Sequence, residues 1–94
     1  MIRARLGGSA AVLTGHAGYG RRGEDIVCAA VSILVYVQMR LWEKAGVLEE
    51  FRAGEGYARL SARRGSGAAP EVLALGLRYL AAEYPECVTI VPAQ

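Results

Sequence analysis

Two side chains in this sequence could carry out nucleophilic chemistry together: His16 and Cys28. Both lie in the segment Gly15 to Ser32, GHAGYGRRGEDIVCAAVS. His16 is the single histidine, and Cys28 is one of two cysteines. A thiolate is the nucleophile of cysteine chemistry, and a neighbouring imidazole can activate it and move protons. Cys28 falls three positions after Asp25, near the first turn of a long helix. A thiol there faces unsatisfied backbone amides and the positive end of the helix dipole, both of which favour thiolate. Between the two residues, Gly15, Gly18, Gly20 and Gly23 give a loop of unusual backbone freedom that could fold back and bring them together. The spacing permits a dyad without requiring one. A Cys in an Ala/Val helix is also an ordinary apolar core residue, and a lone His beside glycines is an ordinary loop residue. A Gly-rich loop before a helix could equally cradle phosphate. It lacks the Walker spacing with its Lys and has no GxGxxG, and Glu24 and Asp25 would repel an anion.

The elements that must position these residues are punctuated by glycine. Ile2 to Leu6 alternates apolar and basic, the period of a half-buried strand. Gly7-Gly8-Ser9 signals a turn, and Ala10 to Thr14 is a second short apolar run, so the pair reads as a hairpin. Asp25 to Ala45 holds no Gly or Pro and exceeds strand length. Acids open it, Lys44 closes it, and Gly46 sits where a left-handed cap belongs. It reads as a helix. Its first half is apolar on every side, so it must be covered by a sheet and by something else, which could be a second subunit. Val47 to Ala53 and Tyr57 to Arg63 flank Gly54-Glu55-Gly56 as a second hairpin. Its alternation is imperfect: Val47, Glu49, Phe51 and Ala53 share one face by parity. Pro70 can open a second helix, with Val72, Leu73, Leu77, Leu80 and Ala81 on one stripe, and Pro85 ends it. Val88 to Val91 is a last strand. The order strand, strand, helix, strand, strand, helix, strand predicts a single α+β domain over residues 1–94, a two-layer sandwich of a mostly antiparallel sheet and two helices.

Composition narrows the function classes. Apolar residues make up 53% and charged residues 21% of 94 residues, too apolar for a disordered chain and too charged for a membrane protein. The formal charge is only +2, so no direct nucleic-acid partner is expected. Two cysteines and one histidine make neither a disulfide scaffold nor a structural zinc site within one chain, and no metal or cofactor is called for. The longest apolar run, Ile26 to Val37 with Ser32 inside it, is too short to span a bilayer. MIRARL is not followed by a secretory apolar stretch. The expectation is a cytoplasmic protein with reduced thiols and no membrane partner. Cys87, with no His near it in sequence, reads as structural.

The segment GHAGYGRRGEDIVCAAVS resembles the signature of the ribosomal-processing cysteine protease family, Prp. The matching elements are Gly15-His16-Ala17, Gly23 and Asp25 to Ser32, with the same spacing from His to Cys. Gly76-Leu77, Leu80-Ala81, Tyr84-Pro85 and Val88 resemble the family's closing helix and strand. The stretch Arg40 to Arg64 carries no matching signature. The resemblance implies a small homodimeric endopeptidase that removes an N-terminal extension from a large-subunit ribosomal protein, cutting after an apolar, Phe-containing stretch. It implies Cys28 as nucleophile, His16 as general base and acid, and Gly15, Asp25 and Ser32 as active-site positions.

Around that dyad the residues suggest further roles. Amides at the start of the long helix could stabilise an oxyanion. Asp25 could cap the helix or orient His16, with the cap favoured. Ser32, one turn after Cys28, could line the site or merely pack. Tyr19 could touch apolar substrate side chains or have no role. Arg21 and Arg22 read as a solvated loop that could also attract an acidic flank. The Gly-rich loop is expected to move and to carry His16 over the substrate. Two rival readings are a non-catalytic ribosome-associated module that holds an apolar peptide, and a thiol-transfer protein. The latter lacks a resolving cysteine at short spacing.

Overall fold

In the computed structural model, which describes residues 1–91, the chain runs β1 (Ile2–Leu6), β2 (Ala10–Thr14), α1 (Ile26–Lys44), β3 (Leu48–Gly54), β4 (Tyr57–Ala62), α2 (Glu71–Glu83) and β5 (Val88–Val91). The order is the one the sequence predicts. The five strands form one sheet, ordered β3-β4-β2-β1-β5. Three neighbouring pairs are antiparallel, and β1 and β5 are parallel. The sheet is therefore mixed, because β5 reaches the edge beside β1 by a crossover through α2 and not by a hairpin.

Both helices cover one face of this sheet. Ile2, Ala4, Ala11, Leu13, Ala58, Leu60, Ala62 and Val88 point into that layer and are buried. They meet Val27, Val31, Val35, Met39 and Trp42 of α1 and Leu73, Leu77 and Leu80 of α2. Full burial of one such Leu stabilises the fold by about 1.5–3 kcal/mol. The other sheet face has no covering layer among the described residues, as expected of strands with one apolar and one polar side.

Three local features settle what the alternation left ambiguous. In β3 a register shift lies between Leu48 and Glu50, so Leu48 pairs with Ala62 and Phe51 with Leu60. A bulge inserts one residue and reverses the parity. Leu48 and Phe51 consequently face the helices together, although the expected face grouped Phe51 with Val47 and Glu49. Gly76 of α2 packs against the Leu34 side chain, with no space for a Cβ; a side chain there would force the helices apart. Gln38, buried in α1, accepts hydrogen bonds from the Val72 and Leu73 amides at 2.9 and 3.1 Å. Pro70 at the N-cap of α2 offers no side-chain cap, so α1 supplies it.

By length and composition α1 could cross a membrane, with 19 residues and a mean hydropathy of 1.5, longer than its uninterrupted apolar run suggested. One face of it packs on the sheet and α2. Its outer side carries Ile26, Ile33, Val37 and Leu41, all exposed.

Candidate active site

The β2–α1 connection is built around Asp25. Asp25 is the N-cap of α1, and its extended backbone turns the chain into the helix. Its Oδ1 accepts the Val27 and Cys28 amides, both at 3.0 Å. Its Oδ2 accepts the Tyr19 and Gly20 amides at 2.9 and 3.1 Å. One carboxylate thus caps the helix and holds the incoming loop. Partial burial pushes the Asp25 carboxyl up, but the four amides of Cys28, Gly20, Tyr19 and Val27 outweigh this and hold it below the usual aspartate value. Of the two roles open from the sequence, the structure shows the cap; no hydrogen bond joins Asp25 to His16 among the described residues.

This arrangement also fixes the thiol. Cys28 is the third residue of α1, half-buried, and its Sγ accepts the Ala17 amide at 3.3 Å. Ala17 is buried beneath the loop, next to His16. The helix-start amides suggested as oxyanion donors are already engaged: those of Val27 and Cys28 donate to Asp25. The amide aimed at the sulfur comes from the loop instead.

His16 is placed by the other wall. Its imidazole lies over Gly56 in the β3–β4 turn, with Nε2 2.9 Å from the position a Cβ would take. Gly56 has a φ of +69°, so the turn needs glycine for its own backbone as well as for the histidine's room. The Gly15 amide donates to the Gly56 carbonyl at 2.9 Å, tying the loop to that turn. Gly15 itself, at a φ of +97°, abuts the Met1 carbonyl. On the far side Arg22 pairs with Glu55 at 2.8 Å.

His16, Cys28, Gly15, Asp25 and Ser32 all line one open cavity of about 760 Å³. His16 and Cys28 share the cavity, and no hydrogen bond joins them among the described residues. Tyr19 is not among the lining residues. It stands edge-on to Tyr84 at the end of α2, ring centroids 5.3 Å apart, on the outside of the loop. Cys87 is buried in the core. The loop's glycines serve turns more than looseness: Gly15, Gly18 and Gly23 all have positive φ. Asp25, Tyr84 and Glu55 give the expected gate three points of attachment.

The lining residues that the sequence did not single out include Tyr36 of α1 and Ala53 to Ala58 of the second hairpin. The signal was present as Gly54-Glu55-Gly56, read only as a turn. What hid its role is the strand order, which sets β4 beside β2 and carries this turn to His16 across forty residues of chain.

Chemically, the cavity offers a thiol at a helix start, an imidazole on the facing side, an amide directed at the sulfur, and apolar lining from Ile2, Leu13, Val31 and Val35. The family model of the cysteine protease Prp matches residues 2–89. No curated protein matches the chain. Among solved structures, an essential ribosomal processing protease Prp from S. aureus, with a covalently linked product peptide, superposes with a TM-score of 0.84 at 18% identity over 98% of this chain and 99% of that one. The same S. aureus protease with a substrate peptide gives 0.69 at 15% identity, over 97% and 96%. SMU.848 from Streptococcus mutans gives 0.75 at 31% identity, over 99% and 94%.

Proposed function

This chain belongs to the Prp family of cysteine proteases, and we propose that it is the endopeptidase that removes the N-terminal extension of a large-subunit ribosomal protein. The observation that carries the reading is the meeting of Cys28 and His16 in one cavity with apolar walls. The S. aureus protein of the same fold is described as a ribosomal processing protease.

In the proposed mechanism Cys28 gives its thiol proton to His16, and Sγ attacks the scissile carbonyl carbon. A carbon–sulfur bond forms, and the carbonyl oxygen takes the negative charge. The Ala17 amide, already directed at the sulfur, is the donor best placed for that oxygen. As the carbon–nitrogen bond breaks, His16 gives its proton to the leaving amine and a thioester remains. Water, deprotonated by His16, attacks the thioester. The new carboxylate leaves, and the proton returns to the sulfur. Catalytic hydrogen bonds are commonly loose before substrate binds and tighten in the complex. The separation of His16 and Cys28 is therefore the starting point of a closure. Ser32, one turn beyond Cys28 on the cavity side, lines the path of the peptide.

The enzyme acts as a homodimer in this reading. Ile26, Ile33, Val37 and Leu41 form a stripe along α1 that is 39–60% exposed, and Leu75 and Tyr79 of α2 add to the same outer layer. A soluble chain seldom leaves such a stripe bare, and a two-fold pair of copies would cover it. Sedimentation at micromolar concentration will give twice the 10.0 kDa chain mass; a species of single mass refutes the dimer. The site of action in this reading is the cytoplasm, where both thiols stay reduced.

The decisive assay is a quenched fluorescent peptide that spans the extension and the mature start of the ribosomal protein. The wild type will cut one bond, and Cys28→Ala and His16→Ala will not. A folded protein that binds the peptide and leaves it whole would make this a peptide-holding module instead.

A further inference from the structure

The open face of the sheet holds a second functional surface. Residues alternate along each strand, so the side chains opposite the helices are set by register. Arg5 pairs with Val12 of β2 and Val91 of β5. Val12 pairs with Arg59 of β4, and Arg59 with Arg52 of β3. One row across the sheet therefore reads Arg52, Arg59, Val12, Arg5, Val91. The next row places Arg3 between Thr14 and Thr89. All four arginines are exposed.

Glu50 is placed on this face by register, with exposed Glu49 next to it in the bulge. It pairs with Arg59 at 3.0 Å and Arg52 at 3.5 Å. Arg3 and Arg5 form no ion pair among the described residues. A net charge of +2 for the whole chain thus conceals a face that gathers four arginines, two of them free of ion pairs among the described residues. Between the arginines lie Ala10, Val12, Thr14, Ser61 and Thr89, all small or short, and Tyr57 stands beside Thr14 at the start of β4. A protein-binding patch has the opposite make-up, with charge depleted at its centre and aromatic anchors filling pockets. Here the charge is central and the floor is flat.

We infer that this face docks the phosphate backbone of RNA. Arg forks bind phosphate oxygens bidentately, and their planar shape suits them to that task better than Lys. Two residues along β1, Arg3 and Arg5 stand about 7 Å apart, close to the spacing of successive phosphates in an extended strand. The choice of RNA over another polyanion rests on the proposed substrate, since a ribosomal protein is met on an RNA surface. The cavity opens on the helix-covered side of the sheet and at its end, so a phosphate strand on the opposite face leaves it free.

The test uses a short fluorescein-labelled single-stranded RNA of mixed sequence and the full-length dimer, followed by anisotropy, with peptide cleavage measured on the same samples. Binding is expected to be saturable and to weaken roughly 50-fold between about 50 and 200 mM salt if four phosphates are engaged. Arg3→Gln/Arg5→Gln should weaken it at least tenfold and reduce the salt slope by about 1.4, with cleavage of the peptide unchanged. Arg40→Gln/Arg78→Gln, on the helical side, should bind RNA as the wild type does. The inference is overturned by absence of saturable binding, by equal binding of the Arg3/Arg5 variant, or by an equal loss in the helical-side variant. Loss of peptide cleavage by the wild type would overturn the peptidase reading alone, because RNA binding is read separately.

Discussion

The two helices begin in opposite ways. α1 is capped from within its own segment by Asp25, whose second oxygen also holds the loop that bears His16 and Ala17. α2 is capped from another helix by Gln38, whose amide oxygen takes the Val72 and Leu73 amides. The local cap sits at the cavity and holds both the helix start and the loop. The remote cap is buried and serves packing alone. A helix start needs its orphan amides satisfied in either case. Only the first arrangement leaves a reactive group beside the cap.

The contrast is sharpest if chemistry and stability can be removed separately. Replacing Cys28 with Ala should lower kcat/KM on the peptide by on the order of 10⁴-fold or more while the melting temperature stays near that of the wild type. A thermal scan and a progress curve on the same preparation check both. Gln38→Leu should do the reverse. It leaves two buried amides without a partner, which costs about 1–3 kcal/mol. Urea denaturation will show that loss, and kcat/KM per folded molecule should hold; a large fall in activity would mean that α2 positions the site after all.

Asp25→Ala should affect both properties, because the carboxylate does both jobs. Loss of the cap costs about 0.5–2 kcal/mol, and release of Tyr19 and Gly20 should lower kcat/KM as well. An Asp25→Ala variant that loses stability yet cuts the peptide at the wild-type rate would separate loop from cap. The smallest effect is in acid. The Asp25 carboxyl is held below its ordinary value of 3.8, so its contribution is fully present above that value. It is lost as pH falls through the lower, folded-state value. Asp25→Asn should therefore flatten the fall in stability below about pH 4, measured as urea midpoints across the acid range.

The same comparison explains what was legible in the sequence. Asp25, Cys28 and Gly46 mark the ends of α1 through contacts a few residues long, so the helix and its thiol could be read directly. The span of β1 followed from alternation, and those of β2 and β5 from short apolar runs. Gln38 could not be read, because its partners lie 34 and 35 residues away and a polar residue in a helix gives no hint of which amides it will meet. The hairpin wall over His16 stayed hidden for the same reason: its position is a property of strand order. The β3 bulge defeated alternation because one added residue changes every later side chain's face. The packing of Tyr19 on Tyr84 could not be read, because no local signal said which side of the loop its ring would take.

The parallel pairing of β1 with β5 has a consequence in time. Ile2 meets Val88, so the first strand to be made borders the last. As the chain leaves the ribosome, β1 keeps one unpaired side until β5 has been translated. Contacts so distant in sequence close slowly and late. Ile2, a wall of the cavity, is seated by a hydrogen bond from its amide to the Cys87 carbonyl. A nascent chain that has not yet made β5 thus lacks a finished cavity.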